Sequence, residues 1–397
     1  MKKGVFYWHN NIGDYMEFYK RAIELKEETI KHRRFLHKNA ESGLNMPIAV
    51  SYLTEELNKI GLPHKRCGEG VIAELGKGRP IILLRADMDA LPMKEESELE
   101  FASKTNCAHT CGHDLHTAML LTAAKMLKET EENLKGTVRF MFQPSEENLV
   151  GCKNMIENGL FEECLPDFSL AFHVGAGKIP VGAIMYNSDS VMMYGADRFK
   201  ITVFGKGGHG AMPNLNSNPI KVAVDIYNAF EELTTENTLI TIGRFLGGDT
   251  DNIIPDKTEI GGSLRTDQKE KRDIILKEMK IRAENIASKN GCSIDFTLNA
   301  SVPPLVCDKK FTKTVVSYIR ELNIPNFKEI TDIKVTASDD FALITDKVPS
   351  AYIYLAAGFS DERGEYTAHN PKVMFNEDVC PIGAASYAYC AKRLLSQ

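Results

Sequence analysis

The segment IILLRADMDALP, residues 81–92, is a short apolar run that leads into two aspartates. An apolar helical segment, HTAMLLTAAKML at 116–127, separates it from the next apolar run. The further runs of strand length are TVRFMF at 137–142, FSLAF at 168–172 and AYIYLAAG at 351–358. Strands that alternate with helices are typical of an α/β fold. We therefore predict a central sheet flanked by helices.

The middle of the chain has a different pattern, in which alternating strands and amphipathic helices follow the order β-α-β-β-α-β. That order is typical of a ferredoxin-like α+β domain. We predict a first part of a large domain at 1–192, an inserted small domain at 193–305 and a second part of the large domain at 306–397. The small domain's segments are RFKITVFG (198–205), PIKVAVDIYNAFEEL (219–233), TLITIGRF (238–245), TEIGGSLRT (258–266), KRDIILKEMKIRAENIASKNG (271–291) and SIDFTL (293–298).

Composition restricts the partners and the location of this 397-residue chain. A net charge of -6 without a basic block argues against nucleic acid as a partner. No apolar stretch approaches the length of a membrane span, so no membrane partner is expected. The start of the chain, MKKGVFYWHNNIGDYMEF, lacks the apolar segment of a secretory signal, and nine cysteines are scattered along the chain. We predict a cytoplasmic protein with reduced thiols.

Ligand-type side chains follow the predicted strands. Asp87 and Asp89 come after the first strand, Glu146 and Glu147 after the second, and His173 after the third. The carboxyl ends of such strands form the site edge of an open α/β sheet. The cluster CGHD at 111–114, just before the apolar helix, can reach the same edge. Each feature alone has an ordinary structural explanation, but their common position predicts a site.

The mixture of residue types predicts the chemistry of that site. Thiolate and imidazole suit zinc, cobalt, nickel or manganese, and the extra carboxylates favour a second ion. Two neighbouring glutamates can divide the work, so that one binds metal and the other transfers protons. Helix N-terminal amides and a cation would both favour the thiolate form of Cys111.

Two alternatives to a metal-dependent enzyme remain open. The first is thiol catalysis, with Cys111 as nucleophile and His113 as base, although two residues apart is a poor spacing for such a pair. The second is a catalytically weak metal-binding regulatory or carrier protein on the same fold. Carriage needs no general base, so the paired glutamates argue against it.

The ordered motifs resemble those of the M20 metallopeptidase family, in its aminoacylase-like amidohydrolase branch. That branch includes hippurate hydrolases, indoleacetyl-amino-acid hydrolases and N-acetyl-diaminopimelate deacetylases. The resemblance spans nearly the whole chain. It rests on RRFLH (33–37), LRADMDALP (84–92), CGHDLHTAMLL (111–121), FQPSEE (142–147), HV (173–174), GKGGHGAMP (205–213), NIIPD (252–256), GSLRT (262–266) and HNP (369–371).

The resemblance implies a role for individual residues. It implies a metal-dependent exopeptidase-like sheet with an inserted lid and dimerisation domain. Glu146 matches the general base, Asp89 the aspartate that orients a ligand, and His209 the residue that reaches the partner's site and stabilises the oxyanion. Asn252 and Arg265 match contacts to the substrate carboxylate. The implied ligands of two divalent ions are Cys111, His113, Glu147, His173 and His369, with Cys111 as the bridge.

The activity that the resemblance implies is hydrolysis of a linear amide by a metal-activated water, as in aminoacylases or carboxypeptidases. The expected substrate is an N-acyl amino acid or a small dipeptide, and the expected assembly is a homodimer. The implied metal is zinc, manganese, cobalt or nickel. One departure bears on specificity, because relatives usually carry Trp-Pro after the His-Val pair and this chain carries Gly175, Ala176 and Gly177.

Overall fold

The computed structural model describes residues 14–396, with side chains from Glu17 onwards. Most of the segment from which we predicted no secretory signal, residues 1–18, lies outside this range. The described chain forms two compact units. The large unit comprises the chain up to Ser190, Cys307–Ile333 and the chain from Lys347 onwards, and the small unit comprises Val191–Val306 and Lys334–Asp346.

The large unit is built on an eight-stranded sheet in the order β1-β2-β4-β3-β5-β16-β6-β15. Its strands are β1 His64–Cys67, β2 Gly70–Gly76, β3 Ile81–Asp87, β4 Thr137–Gln143, β5 Phe168–Pro180, β6 Ala183–Met185, β15 Lys328–Ile330 and β16 Ser350–Gly358. Its helices are α1 Asp14–Glu24, α2 Lys26–Lys38, α3 Pro47–Ile60, α4 His113–Lys128, α5 Gly151–Glu157, α8 Lys309–Glu321 and α10 Val379–Leu394.

The centre of this sheet is parallel, since β3 pairs in parallel with both β4 and β5, and β5 with β16. Each central strand is an apolar run that is buried on both faces, as parallel sheets require. Helices α4 and α10 are buried along nearly their whole length and pack with the sheet in one hydrophobic core. The predicted α/β class is confirmed.

The small unit contains a four-stranded antiparallel sheet in the order β10-β12-β8-β13. Its main elements are β8 Gly195–Phe204, α6 Pro219–Glu231, β10 Thr238–Gly247, β12 Lys257–Thr266, α7 Lys269–Lys289 and β13 Ser293–Val302. The unit also holds β7 Val191–Met193, β9 Gly208–His209, β11 Ile253–Ile254, β14 Leu305–Val306 and α9 Ala342–Thr345. Both chain order and strand order are those of a ferredoxin-like domain, as predicted.

The hydrophobic core of the small unit lies between one face of this sheet and the two long helices. Phe199 and Leu264 from the sheet pack there with Phe230 of α6 and Met279 of α7. Residues 334–346 also belong to this unit, and Val335 forms backbone hydrogen bonds with Met192 and Tyr194.

The division into catalytic and lid domains remains a prediction. Within residues 14–396, no helix is both long and apolar enough to cross a membrane.

Candidate metal centre and active site

Two neighbouring parallel strands of the large unit, β3 and β4, end side by side, and the third, β5, continues past the same edge to Pro180; together they carry the predicted side chains. Strand β3 ends at Asp87, with Asp89 just beyond; β4 ends at Gln143, shortly before the paired glutamates; and His173 lies within β5. Helix α4 begins at His113 and presents its first turn to the same edge. The side chains predicted from strand ends and from the helix start therefore lie together.

A glycine lets the loop before α4 approach strand β5. Gly112 has a φ of 87°, a conformation that side chains rarely adopt, and a Cβ atom there would lie 2.3 Å from Val174 Cγ2. The loop can therefore place Cys111 next to His173, with 3.4 Å between Cys111 Sγ and His173 Nε2.

The first group of ligand atoms comprises Cys111, His113 and His173, which lie within 4.8 Å of one another. His173 Nδ1 lies 2.8 Å from the carbonyl oxygen of Val174, so Nδ1 carries the proton and donates it there. The other ring nitrogen, Nε2, is then a lone-pair donor facing the thiol. A backbone acceptor of this kind is a usual partner of a metal-binding histidine.

A second group comprises Cys111, Glu147 and His369, also within 4.8 Å. His369 Nε2 lies 3.3 Å from Glu147 Oε1. His369 has a φ of 68°, and its backbone N–H donates to the carbonyl oxygen of Thr110 over 2.9 Å. The thiol of Cys111 thus belongs to both groups, which is the position a bridging ligand would need.

His113 lies in the middle of this arrangement and is fully buried. Its Nδ1 is 3.4 Å from Asp89, and its Nε2 is 3.7 Å from Asp87 and 3.9 Å from Glu147. Within the described residues, neither ring nitrogen makes a hydrogen bond of good geometry. Buried polar atoms normally have partners, so the arrangement indicates a missing one. A divalent cation fits this set of sulfur, nitrogen and oxygen donors.

Electrostatics in the metal-free protein agree with that reading. Burial opposes a charge on His113, but the nearby Asp87 carboxylate raises the pKa of His113 well above the usual value. Burial raises the pKa of the Cys111 thiol to about 12. The expected thiolate therefore does not form on account of the helix alone; it requires a bound cation. The same raised pKa argues against Cys111 as a catalytic nucleophile.

Asp89 connects the paired glutamates to His113. Its two carboxylate oxygens accept the backbone N–H groups of Glu146, over 3.0 Å, and Glu147, over 3.2 Å. Asp89 is itself buried, and this burial raises its pKa. The Asp89 carboxylate thus fixes the backbone of both glutamates and also contacts the imidazole of His113.

Sequence reasoning missed several residues that support the site. His116 Nδ1 contacts Asp87 over 2.5 Å, and His116 Nε2 accepts the backbone N–H of Val174 over 2.8 Å. Asp87 also forms an ion pair with Arg85 over 2.8 Å. The i, i+3 spacing of His113 and His116 on α4 was the available signal, because both lie on one helix face.

Asp114, the acid of the CGHD cluster, is in none of these ligand groups. Its carboxylate is fully buried and contacts Arg33 over 3.0 Å and His37 over 2.8 Å. Arg33 also reaches Glu377 over 3.0 Å. Asp114 therefore fixes the first turn of α4 to helix α2, which holds the adjacent His113 in place.

The remaining predicted residues lie in the small unit. His209, in β9, is exposed; it pairs with Ile253, and its Nδ1 accepts the Ala211 N–H over 3.1 Å. The Asn252 carbonyl oxygen accepts the Gly210 N–H over 2.9 Å. His209 and Asn252 therefore lie on two paired segments, 208–210 and 252–254, which we call the loop pair.

Arg265 lies far from that loop pair, near the other end of β12. Its Nη1 donates to the Thr336 carbonyl oxygen over 2.9 Å and to Ser338 Oγ over 3.1 Å. The loop pair adjoins the start of β12, where the Gly205 N–H donates to Asp256. At a strand rise of roughly 3.3 Å per residue, Arg265 is about 25 Å from the start of β12.

The chain matches the profile of Peptidase family M20/M25/M40 over residues 83–393. It is 34% identical to IAA-amino acid hydrolase ILR1-like 2 of Arabidopsis thaliana, over 96% of this chain and 88% of that protein. It is 31% identical to hippurate hydrolase of Campylobacter jejuni, over 96% of this chain and 100% of that protein.

Among solved structures, the fold matches that of the YXEP protein of Bacillus subtilis, a dinuclear metal-binding peptidase from the M20 family. The TM-score is 0.77 at 28% sequence identity, and the match covers 94% of this chain and 99% of the other.

Proposed function

Because the chain belongs to peptidase family M20/M25/M40, we propose that it is a metal-dependent hydrolase that cleaves the amide bond of N-acyl amino acids or small dipeptide-like substrates. The observation that carries this function is the position of Cys111, which is shared by two ligand groups beside the paired glutamates. The family is metal-dependent, and its named relatives are hydrolases.

In this proposal the predicted ligands would hold two divalent ions, and Cys111 would serve both, since it belongs to both ligand groups. When bound, such ions acidify water and polarise an amide carbonyl. Zinc, manganese, cobalt and nickel all suit the mixed thiolate, imidazole and carboxylate donors. The ligands are Cys111, His113, Glu147, His173 and His369.

The paired glutamates have different tasks. Glu146 is the general base, which takes a proton from the attacking water and returns it to the leaving amine. Glu147 remains a metal ligand, consistent with its contact to His369. Asp89 fixes the position of both glutamates, since it accepts the backbone N–H groups of Glu146 and Glu147. It also orients His113 through Nδ1. A carrier would need no proton-transfer group, so the presence of Glu146 beside the ligand Glu147 favours the hydrolase.

Substrate contacts come from the small unit. Arg265 binds the carboxylate of the substrate, and its planar fork suits two-pronged binding. His209 stabilises the oxyanion, and Asn252 adds a contact to the substrate. His209 and Asn252 adjoin one end of β12 and Arg265 is near the other, so one chain cannot bring all three to one small substrate.

We therefore propose a homodimer in which His209 and Asn252 act in the partner's site. The edge strand β10 supports this proposal, because its last residues expose Phe245 and Leu246. We also propose a cytoplasmic location, which the nine cysteines support, since none of them forms a disulfide.

Removal of metal tests the function directly. We expect the chelated, verified metal-free enzyme to lose hydrolysis of N-acetyl, N-benzoyl and dipeptide substrates, and to regain it with zinc, manganese, cobalt or nickel. Full activity without metal would exclude the mechanism. Failure of every reconstituted form to hydrolyse any such substrate would exclude the proposed function.

A further inference from the structure

A groove lined by three arginines lies on the small unit's sheet, on the face opposite α6 and α7. The arginines are Arg198, Arg244 and Arg265, and the groove has a volume of about 530 Å³. No acidic residue is among the described side chains that line it. We call this feature the arginine groove. Its positive charge makes an anion the expected ligand.

Strand register places two of the arginines side by side. Arg198 on β8 pairs with Ser263 on β12, two residues before Arg265. Alternate residues share a face, so Arg198 and Arg265 are diagonal neighbours, with Cα atoms roughly 7–8 Å apart. Burial and then the positive charge of Arg198 lower the pKa of the Arg265 guanidinium. An anion between the two groups would relieve this repulsion.

The guanidinium of Arg265 is held in a way that leaves one edge for a ligand. Both hydrogen bonds to Thr336 and Ser338 come from Nη1. Within the described residues, Nε and Nη2 of Arg265 make no hydrogen bond. These two nitrogens form the side of the fork that binds a carboxylate with two parallel hydrogen bonds.

The third arginine is positioned by a β-bulge. The pairing of β10 with β12 shifts register between Ile242 and Arg244, and bulges commonly redirect side chains near functional sites. Glycine keeps this part of the groove open: a Cβ atom at Gly243 would meet nothing within 4 Å, whereas one at Gly261 would lie 3.2 Å from Arg244 Nε. Arg244 Nη1 is 3.7 Å from the carboxylate of Glu259.

We propose that the arginine groove is a subsite for a second carboxylate, so that the preferred substrates are N-acyl derivatives of acidic amino acids. This inference rests on the proposed function, in which Arg265 binds the α-carboxylate. The side-chain carboxylate of an aspartate or glutamate derivative then meets Arg198, and Arg244 adds positive charge. A neutral side chain would gain no charge-assisted hydrogen bond from Arg198.

Paired substrates test this specificity. We expect the metal-loaded enzyme to hydrolyse N-acetylglutamate with a kcat/KM at least tenfold above that for N-acetylglutamine. Arg198→Gln should lower kcat/KM for the glutamate derivative roughly 10- to 100-fold, the usual effect of a hydrogen bond to a charged group, and change the glutamine derivative less than twofold. Arg198→Lys should retain part of the preference. Arg282→Gln, on helix α7, is the matched control and should change neither.

A binding measurement separates this inference from the proposed function. By calorimetry, glutarate should bind the wild-type protein at least tenfold more tightly than its monoamide, and Arg198→Gln should abolish the difference. Equal binding, or an equal loss on both substrates, would overturn the subsite even in an active hydrolase. If Arg198-dependent glutarate binding occurs without hydrolysis of any N-acyl substrate, the subsite stands and the proposed function fails.

Discussion

Replacement of Asp89 by Asn tests whether one carboxylate positions the whole catalytic pair. Asp89 accepts the N–H groups of Glu146 and Glu147 over 3.0 and 3.2 Å. An amide of the same shape keeps one acceptor oxygen and points an NH₂ group at the other N–H. One buried donor then loses its acceptor, which costs about 1–3 kcal/mol. The backbone of one of the two glutamates is then held by one hydrogen bond fewer.

Two measurable losses follow from Asp89→Asn. We expect metal affinity to fall about 10- to 100-fold, because in the proposed mechanism Asp89 orients the metal ligand His113. We also expect kcat at saturating metal to stay about 5- to 150-fold below wild type, the equivalent of the lost hydrogen bond at Glu146. The second loss distinguishes positioning of the base from metal affinity alone.

The assay is a titration of metal-free protein with metal, followed by kinetics at saturating metal. Asp225→Asn is the control, since this half-buried aspartate lies on α6 in the small unit and pairs with Lys221 over 3.0 Å. Circular dichroism should show the same fold for both variants. Wild-type kcat for Asp89→Asn at saturating metal would refute the positioning role, and unchanged metal affinity would refute the link through His113.

Three further outcomes are expected. Glu146→Gln should reduce turnover on the order of 10²–10⁴-fold with near wild-type metal content, whereas Glu147→Gln should lower metal content; the reverse pattern would exchange their roles. Arg265→Ala should lower kcat/KM for an N-acyl amino acid by about 1.5–3 kcal/mol more than kcat/KM for its amide derivative, and an equal loss on both substrates would make Arg265 structural. Mixed dimers of Glu146→Ala and His209→Ala should recover roughly a quarter of wild-type activity, and no recovery despite confirmed subunit exchange would contradict a shared site.

The part of the site that follows strands could be predicted from the sequence. Apolar runs locate the strands, and parallel strands share one carboxyl edge, so Asp89, Glu146, Glu147 and His173 were expected together. The structure places them together. The ferredoxin-like order of the small unit was likewise visible, because its helices and strands have clear and different periodicities.

Residues outside that pattern could not be derived in the same way. His369 lies in a loop and is fixed by a backbone hydrogen bond to Thr110, a contact between distant parts of the chain that no periodicity reveals. It was inferred only from family resemblance. Arg33 lies on a charged helix and would ordinarily be solvated, yet it is 1% exposed because Asp114 and Glu377 compensate its charge.

The segment Lys334–Asp346 has a consequence for the order in which the protein is made. Thr336 and Ser338, which anchor Arg265, follow it by 71 and 73 residues. At ribosomal rates of about 5–20 residues per second, they are synthesised roughly 4–14 s after Arg265. A gene fragment that encodes only Val191–Val306 therefore lacks both groups to which Arg265 Nη1 donates. The shortest chain that can present Arg265 correctly must extend into the second half of the large unit.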